Sequence, residues 1–306
     1  RFTCVPSCPS HPGAVGEMKK SIIAMGDGLW DMFPSGPLLG GATANFACHA
    51  SRLGGEIYMV SGVGQDKQGE ELLQMYRKHG VRTELVEVVE DYPTGVVTVK
   101  LTESGVPAFT IGADSAWDHW SWNSVIERKV KQADAIYFGT LGQRGQSPRV
   151  AIRKALAIAK NDGILRVLDI NLRAPFFDHA LIRDSINLCS VLKVSDEEIN
   201  PVLQACEING SKSEENGLRE LQMQFELDLV VLTKGAKGAV LLHPGGIVEH
   251  PGVPATVVDT VGAGDSFTAS VTIGLLEGKG YADIVTDACK IAAGVCSHAG
   301  AVSDWG

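Results

Sequence analysis

The sequence predicts an α/β protein in which helices cover both faces of a central, mostly parallel sheet, with a small β lid. Predicted strands and helices alternate along most of the chain, which is typical of a three-layer α/β/α fold. Residues 94–112 depart from this pattern and alternate with a period of two around a Glu-Ser-Gly turn, which predicts a β-hairpin. A lone hairpin is not stable in water, so we expect it to pack on the α/β body as a lid.

The first half of the body contributes clear predicted elements. Residues 21–25 are predicted as a short buried strand, and residues 42–55 as a tightly packed helix rich in alanine. Residues 56–64 form the next predicted strand. Asp66 is the predicted N-cap of the helix that follows, and Gly80 is its predicted C-terminal stop.

The alternation resumes after the hairpin. Ser147 is the predicted N-cap of a helix with Pro148 at its first position. The remaining predicted strands are residues 134–139, 166–171, 190–195, 227–235, 238–243 and 255–259, the last two as antiparallel edge strands. The remaining predicted helices are residues 147–163, 180–188, 196–206, 213–226, 263–277 and 282–298.

Composition excludes several classes of partner. Hydrophobic residues make up 44% and charged residues 21% of the 306 residues, which predicts a globular core. The net charge of −9 argues against nucleic acid, which requires a basic surface. No apolar run reaches the roughly 18 residues of a membrane span, so we expect no membrane partner. The seven cysteines fall mostly in apolar periodic segments, which predicts reduced core cysteines in a cytoplasmic protein.

We expect a single folded domain over residues 18–306. The lid insertion is predicted at about 92–113, with residues 29–40 on the lid side. Residues 1–17 lack an initial methionine and an apolar signal-peptide core, and Met18 leads directly into the first strand. Residues 1–17 are therefore predicted to be an extension outside the fold.

Two common nucleotide-binding motifs are absent. The P-loop pattern GxxxxGK[ST] does not occur in the sequence. The glycine-rich segment after the first strand, "GDGLWD", has Asp31 where a dinucleotide-binding turn needs its third glycine. The sequence therefore argues against a dinucleotide-dependent dehydrogenase.

An acidic residue follows a small-residue turn in "VVDTVGAGDSF". Gly262, Ala263 and Gly264 precede Asp265 at the start of a predicted helix, where backbone N–H groups suit an anion. A carboxylate beside them can take a proton from a hydroxyl while the N–H groups stabilise charge on a phosphoryl group. The pattern fits equally well an aspartate that only caps the helix.

These residues resemble the C-terminal signature of the ribokinase-like (PfkB-type) carbohydrate kinases. The segment "GGATANFACHASRLGG" is similar to the family's N-terminal motif, and "DINLR", "KVSDEE" and "TKGAKGA" follow in family order. The resemblance covers roughly residues 20–301. It implies a ribokinase-like fold and ATP- and Mg²⁺-dependent phosphorylation of a sugar or nucleoside hydroxyl. Such enzymes usually extend beyond the position of Gly306, so we expect a final segment to be missing here.

The resemblance also implies roles for individual residues. It makes Asp265 the catalytic base, with an anion hole formed by Gly262, Ala263 and Gly264. Sugar binding is implied for Asp31, Gly40, Gly41, Asn45 and Arg173. ATP binding is implied for Lys193, Ser195, Thr233, Gly235 and Gly264. Metal sites are implied at Glu198, for Mg²⁺ through water, and at Asp259, for a monovalent cation such as K⁺.

Several of these residues also have purely structural interpretations. Asp31 fits a turn or cap residue, Asn45 fits pairing with the backbone, and Arg173 fits a structural salt bridge. Lys193 fits an ion-paired surface lysine. Arg144, in the "GQR" loop, fits either a substrate-side residue or a solvated loop residue.

The resemblance is strongest to the fructokinase branch, which implies conversion of D-fructose to fructose 6-phosphate. The alternatives are 2-keto-3-deoxygluconate kinase and ribokinase, because these sugars differ by only a few groups. A relative that senses sugar without catalysis is the alternative from another class. The exposed alternation of the hairpin predicts a homodimer formed through the lid.

Overall fold

The structure is a computed structural model that describes residues 19–101, 107–208 and 213–302. In chain order its strands are β1 (Ser21–Met25), β2 (Leu29–Phe33), β3 (Gly36–Gly40), β4 (Glu56–Gly64), β5 (Arg82–Val89), β6 (Gly95–Leu101), β7 (Pro107–Ile111), β8 (Ala135–Gly139), β9 (Leu165–Asp169), β10 (Val191–Ser195), β11 (Leu229–Thr233), β12 (Ala239–His243) and β13 (Gly246–His250). Its helices are α1 (Ala42–Arg52), α2 (Lys67–Lys78), α3 (Ser124–Val130), α4 (Gln146–Asn161), α5 (His179–Leu188), α6 (Ile199–Ala205), α7 (Glu214–Phe225), α8 (Ala263–Leu276) and α9 (Tyr281–Cys296).

The larger sheet has the strand order β13-β12-β11-β10-β9-β8-β1-β4-β5. Its pairings from β11 to β5 are parallel, while β12 and β13 are added antiparallel at one edge. Parallel strands need crossover connections, and the helices between them provide these. The mostly parallel α/β fold predicted from the sequence is therefore confirmed.

The two faces of the sheet are both buried, as a parallel sheet requires. Ile22 and Ala24 of β1 belong to a core that includes α1, α2, α8 and α9. Ile23 and Met25 belong to a second core that includes α3 to α7. Because successive side chains of a strand point to opposite faces, the continuous apolar run of β1 supplies both cores.

The smaller sheet is a lid with the strand order β3-β2-β6-β7. β6 and β7 are the predicted hairpin, with Val97 opposite Ile111, and its predicted Glu-Ser-Gly turn lies outside the described residues. The lid-side residues of the sequence prediction form β2 and β3, and β2 pairs in parallel with β6. The hairpin is thus stabilised by strand pairing as well as by packing.

Some sequence predictions of elements were wrong. The N-cap of α4 is Gly145 rather than Ser147, whose hydroxyl donates instead to the carbonyl of Trp120 at 3.0 Å. Residues 255–259 are not a strand, and β12 pairs with β13 instead. β5 and α3 were not predicted at all. By contrast, Asp66 is the N-cap of α2 as predicted, accepting from the amide of Gly69 at 2.7 Å.

The helices in the described part of the chain differ from membrane-spanning helices. None of them combines the length and the apolar character required to cross a bilayer. The longest, α4 and α9, have 16 residues each, and both carry charged side chains.

Candidate active site

Polar residues, among them the predicted Ser195 and Thr233, lie at the carboxyl ends of the parallel strands. β1 leads into Asp27, while β9, β10 and β11 end at Asp169, Ser195 and Thr233. Because these strands are parallel, their carboxyl ends meet at one edge of the sheet, where ligands bind in open α/β folds. The N-terminal part of α8 reaches the same edge, since Thr268 donates a hydrogen bond to Asp169 at 2.9 Å.

The turn that opens α8 is made of small residues because other groups pack directly against it. Gly262, the N-cap, has a φ of 81°, and a Cβ there would lie 2.7 Å from the Cα of Ala301. A Cβ on Gly264 would lie 3.1 Å from Nζ of Lys193. First-turn amides have no acceptor within their own helix. The amide of Ala263, however, already donates to a preceding backbone carbonyl at 3.3 Å.

Asp265 is the third residue of α8 and does not cap the helix, because the N-cap is Gly262. One of its carboxylate oxygens accepts a hydrogen bond from Nδ2 of Asn45 at 2.9 Å. Burial and the neighbouring Asp169 raise the pKa of Asp265 to about 7, although Asn45 and Lys193 oppose the rise. The residue is only partly buried. A carboxylate with a pKa near neutrality and some exposure is suited to act as a general base.

The predicted sugar-binding residues come together on β2, at the end of β3 and at the start of α1. The carboxyl group of Asp31 lies against Gly40, where a Cβ would be 2.5 Å from its Cγ. Gly41 has a φ of 95°, and a Cβ there would lie 2.9 Å from the carbonyl oxygen of Asp27. Burial and the charge of Asp27 raise the pKa of Asp31 to about 6, while Arg173 opposes the rise. A side chain at Gly40 or Gly41 would lie too close to these neighbouring groups, so only glycine fits at either position.

Two buried polar residues, Asp27 and Asn45, lie at the start of α1. Asp27 accepts hydrogen bonds from the amide of Ala42 and from Oγ1 of Thr43, both at 2.8 Å. Asp27 thus caps the helix from outside, since the N-cap residue is a glycine without a side chain. Asn45 is 3% exposed, and its Oδ1 has no hydrogen-bond partner within the described residues. A buried unpaired oxygen is costly, so Oδ1 is an unsatisfied acceptor next to Asp265.

The loop after β9 carries Arg173 towards the sugar-side residues. Asn171 in this loop has a φ of 41°, a left-handed conformation that asparagine tolerates better than most residues. Arg173 is exposed, and its guanidinium donates to the carbonyl of Leu172 at 3.0 Å. Its positive charge lowers the pKa of Asp31, so the two groups lie within electrostatic range of each other.

Lys193 is buried and paired with an aspartate that the sequence analysis did not identify. It is the register partner of Asp169 in neighbouring strands, and Nζ lies 3.1 Å from Oδ1. Oδ2 of Asp169 accepts the hydrogen bond from Thr268. Burial opposes the charge on Lys193, but the carboxylates of Asp169, Glu198 and Asp265 keep its pKa above the usual value. Lys193 is therefore ion-paired in the interior, not on the surface.

Glu198 joins the ends of β9 and β10. Oε1 accepts from the amide of Leu172 at 2.8 Å. Oε2 accepts from the amide of Ser195 at 3.0 Å and from its hydroxyl at 2.9 Å. The hydroxyl of Ser195 is thus already used as a donor, and its remaining capacity towards a ligand is as an acceptor.

Thr233 is the last residue of β11, the strand next to β10, and Gly235 lies in the turn that follows. Thr233 is the register partner of Ser195. Gly235 is exposed with a φ of 54°, and a Cβ placed on it meets no atom within 4 Å. Lys234 between them forms an ion pair with Glu214 of α7 at 2.5 Å, so its charge is directed to the protein surface.

Asp259 fastens the loop before α8 to the loop after α9. Oδ1 accepts from the amide of Val261 at 3.1 Å, and Oδ2 accepts from the amide of Gly300 at 2.9 Å. Within the described residues, no group of three or more His, Cys, Asp or Glu side chains is placed to hold a metal.

Asp265 accepts a hydrogen bond from Asn45, and Lys193 lies against the neighbouring Gly264, so residues predicted for sugar and for ATP meet at Asp265. The sequence analysis missed three residues of this centre, namely Asp27, Asp169 and Thr268. Asp169 has a recognisable signal, because it is an acidic residue at the end of a buried apolar strand. Thr268 lies inside an apolar helix and offered no comparable signal.

Arg144 is not a solvated loop residue, because its side chain is largely buried and ion-paired. Its Nε and Nη2 donate to the two carboxylate oxygens of Asp118, each at 2.7 Å. The guanidinium packs between the rings of Trp117 and Phe176, at 4.0 and 4.6 Å from their centroids. Nη2 also donates to the carbonyl of Gly112 at 2.7 Å, so Arg144 fixes the point where the lid returns to the body.

With this geometry in place, the chain was compared with known families. Residues 38–305 match the model of the pfkB family of carbohydrate kinases. Since the match covers most of the sequence, the protein belongs to this family and is a carbohydrate kinase. The family resemblance and the enzyme class expected from the sequence are confirmed.

Three curated relatives illustrate the range of the family. A sugar kinase of Pyrococcus horikoshii is 30% identical over 277 residues, covering 87% of this chain and 83% of that protein. The fructokinase of Escherichia coli is 26% identical over 280 residues, covering 84% and 85%. The aminoimidazole riboside kinase of Salmonella typhimurium is 28% identical over 237 residues, covering 76% and 72%. Their names agree on kinase activity and differ in the acceptor.

A solved structure supports the same conclusion. The crystal structure of an uncharacterized sugar kinase from Pyrococcus horikoshii matches with a TM-score of 0.79 and 28% identity. The match covers 92% of this chain and 93% of that chain. The predicted ribokinase-like fold, with its lid, is therefore shared with a sugar kinase over nearly its whole length.

Proposed function

We propose that the protein transfers the γ-phosphoryl group of ATP to a sugar hydroxyl, with D-fructose, converted to fructose 6-phosphate, as the first candidate acceptor. The observation that carries this proposal is the position of Asp265, a partly exposed carboxylate beside the glycine turn that opens α8. Its pKa of about 7 leaves a large ionised fraction at neutral pH and a useful affinity for a proton.

In the proposed reaction Asp265 takes the proton of the acceptor hydroxyl as its oxygen attacks the γ-phosphorus of ATP, and the bond from that phosphorus to the bridging oxygen breaks to release ADP. Asn45 orients the base by donating to one carboxylate oxygen, while its own free Oδ1 accepts from a second sugar hydroxyl. Asp31 accepts from further hydroxyls, and Gly40 and Gly41 let the sugar approach the backbone. Arg173 lies on the same side, where its guanidinium can bind phosphate oxygens as charge develops.

The phosphates of ATP are assigned to the other side of Asp265. The turn Gly262, Ala263 and Gly264 supplies backbone donors, with the amide of Gly264 the more available since that of Ala263 is already bonded. The Lys193 ammonium beside Gly264 provides a buried positive charge for the transferred group. Ser195, Thr233 and Gly235 are assigned to the rest of the triphosphate on the basis of family position and strand order.

The adenine is assigned to the end of α9 and the segment before α8. Val257 and Val258 are 63% and 61% exposed, although both are apolar. The amide of Val258 donates to the carbonyl of Cys296 at 2.8 Å, which ties these valines to the last turn of α9. An exposed apolar surface at this point is suited to a planar base.

Glu198 is the residue assigned to Mg²⁺, through bound water. The ion would neutralise charge on the phosphates when bound. Glu198 fixes the positions of Leu172 and Ser195 through hydrogen bonds, so it also shapes the phosphate side of the site without a metal. Asp259 is assigned to a K⁺ site, in which its role is to hold the surrounding backbone through Val261 and Gly300.

Fructose is supported by the fructokinase of Escherichia coli among the relatives. A ribofuranoside is the second candidate, because the aminoimidazole riboside kinase is comparably similar over a shorter segment. The test is an ADP-release assay with ATP and Mg²⁺ across fructose, ribose, aminoimidazole riboside, 2-keto-3-deoxygluconate, tagatose and adenosine. We expect the highest kcat/KM with fructose. Sugar binding without ADP release would instead indicate a sensor, and a higher kcat/KM for another sugar would reassign the acceptor.

A further inference from the structure

We infer that Asp169 is a positioning residue, whose carboxylate holds the Lys193 ammonium beside Gly264 and away from the Asp265 base. The inference rests on the proposed kinase reaction and deepens it. Asp169 is 1% exposed and Lys193 is 8% exposed. Neither residue reaches solvent well enough to be explained as an ordinary surface ion pair.

The geometry fixes Asp169 from two directions. Strand register aligns it with Lys193, so the two side chains leave neighbouring strands at the same level. Oδ1 receives the ammonium at 3.1 Å, and Oδ2 receives the hydroxyl of Thr268 at 2.9 Å. Thr268 is one helical turn after Gly264, whose carbonyl also accepts from the same hydroxyl at 3.0 Å. The carboxylate is therefore tied to the helix that carries the base.

The ammonium has other carboxylates within electrostatic range. Asp265 and Glu198 both stabilise the charge of Lys193, after Asp169. The oxygens of Glu198 already accept three hydrogen bonds from other groups, whereas Asp265 accepts one from Asn45. Without Asp169, the carboxylate in electrostatic range of the ammonium that accepts the fewest hydrogen bonds is thus that of the base itself. Such a pair would lower the proton affinity of the base and occupy the oxygen that must take the proton.

A purely structural role does not account for the pair equally well. Replacing a buried ion pair by apolar residues is often neutral or stabilising, so stability alone gives little reason to keep it. The neighbouring strand has Val231 at the register position of Lys193, which is the residue type expected inside a parallel sheet. The lysine at this position is therefore explained by a role in the site that it faces.

The test follows the ionisation of Asp265 in two variants with opposite expected effects. Asp169→Asn removes a negative neighbour and releases Lys193 towards the base, so the acidic limb of kcat/KM should move down by about one pH unit or more. Lys193→Met removes the positive neighbour, so the limb should move up. Asp27 also faces Asp265 and stays unchanged in both variants. In each variant kcat should fall about tenfold or more while the KM for sugar changes little.

The matched control is Asp184→Asn, which breaks an exposed ion pair with Arg153 that is remote from the site. It should leave both kcat and the acidic limb as in the wild type. Thr268→Val is a milder variant that keeps all charges and should lower kcat severalfold, with a downward shift of the limb. Thr268→Val tests the role of Asp169 in the event that Asp169→Asn does not fold.

The ionisation of Asp265 should also be followed directly, by ¹³C NMR of the labelled carboxyl groups without substrate. Opposite shifts in the two variants support the inference, and an unmoved Asp265 titration in Asp169→Asn or Thr268→Val overturns it. Failure of the proposed function has a different signature. In that case the wild type releases no ADP with any sugar, while the NMR titration still decides the role of Asp169.

Discussion

Two carboxyl groups with raised pKa values face the same part of the molecule, one on the lid side and one on α8. Burial is the main cause for both, bringing the pKa of Asp31 to about 6 and that of Asp265 to about 7. Each is surrounded by further acids, Asp27 among them, so neither charge is fully compensated. A neutral polyhydroxyl ligand suits such a pair, because it offers O–H donors to both carboxylates without adding negative charge.

The raised pKa of Asp265 predicts how the rate depends on pH. In the proposed reaction the ionised form of Asp265 is the active form, so kcat/KM should rise with pH and level off above about 7. Protonation of Asp31, with its pKa of about 6, should steepen the fall at lower pH through weaker sugar binding. The measurement is a pH profile of kcat/KM for the best sugar at saturating ATP. A profile that stays flat from pH 8 to pH 5 would contradict this assignment of the base.

Stability should respond to pH in the opposite direction. Because the folded-state pKa of Asp265 lies above the usual 3.8, its contribution to stability is full below that value and is lost as pH rises through about 7. Asp265→Asn removes this ionisation, and the side chain can still accept from Asn45. We therefore expect the variant to gain in Tm over the wild type at pH 8 more than at pH 5. An equal difference at both pH values would contradict the raised pKa.

Gly40→Ala tests the close approach on the sugar side. The added Cβ would lie 2.5 Å from Cγ of Asp31, so the carboxyl group must move. We expect the KM for sugar to rise about tenfold or more, as for a lost charge-assisted hydrogen bond, with a smaller change in kcat. Gly280→Ala is the control, because its Cβ would meet only one atom within 4 Å, at 3.6 Å, and should leave the KM unchanged.

At the level of elements, a single aspartate connects α2 to the lid. Oδ1 of Asp66 accepts from the amide of Gly69 and from the hydroxyl of Thr94, both at 2.7 Å. Oδ2 accepts from the amide of Thr94 at 2.8 Å. Thr94 immediately precedes β6, so one carboxylate both caps a body helix and fixes the start of a lid strand. Burial alone would raise the pKa of Asp66, but these hydrogen bonds keep it below the usual value.

Asp66→Ala should therefore destabilise the protein by about 2 kcal/mol, from the lost cap and the lost hydrogen bonds. The loss should be present at pH 7 and shrink as pH falls below 3.8, because the depressed pKa contributes stability only when the group is ionised. Urea denaturation at pH 7 and at a pH below 3.8 measures the loss of stability. Asp283→Ala, an exposed first-turn residue of α9, is the control and should change stability by less than about 0.5 kcal/mol.

The sequence predicts elements well where a local signal coincides with burial, and less well where two signals compete. Ser147 and Pro148 look like a helix start, but α4 begins one residue before Ser147, whose hydroxyl bonds to Trp120. Residues 255–259 have strand-like β-branched residues, yet their backbone bonds to the last turn of α9 instead. In both cases a tertiary contact that is remote in sequence decides the local structure.

At the scale of the whole molecule, the lid sheet has an edge strand that carries an exposed apolar side chain. β3 is one edge of the lid sheet, and Leu38 on it is 40% exposed although it is apolar. Exposed edges of this kind are suited to pairing with a second copy. We therefore keep the homodimer through the lid as a proposal.

The dimer proposal predicts that Leu38→Lys shifts the protein to monomer, because a lysine on an edge strand opposes pairing. Light scattering coupled to size exclusion at micromolar concentration measures the mass. Met223→Lys, at a 70% exposed position on α7, is the matched control and should leave the mass unchanged. A wild-type protein that is strictly monomeric would contradict the proposal.

Most residues of the candidate active site can be predicted from motifs, but the hydrogen bonds and ion pairs among them cannot. The small-residue turn before Asp265 and the double glycine before α1 are contiguous in sequence, so their patterns are visible. The pairing of Asp169 with Lys193 depends on the register of β9 and β10, and the bond from Thr268 depends on how α8 lies on the sheet. Such contacts arise only when the fold brings remote segments together.

Asp265→Asn is the variant that decides whether Asp265 is the base of a phosphoryl transfer. Turnover with the best sugar and sugar binding by calorimetry should be measured on the same preparation, with Asp283→Asn as the control. We expect kcat to fall by about 10²-fold or more with near-normal sugar affinity, since a positioned base contributes about 10²–10⁴-fold. Turnover close to that of the wild type in Asp265→Asn would contradict the claim.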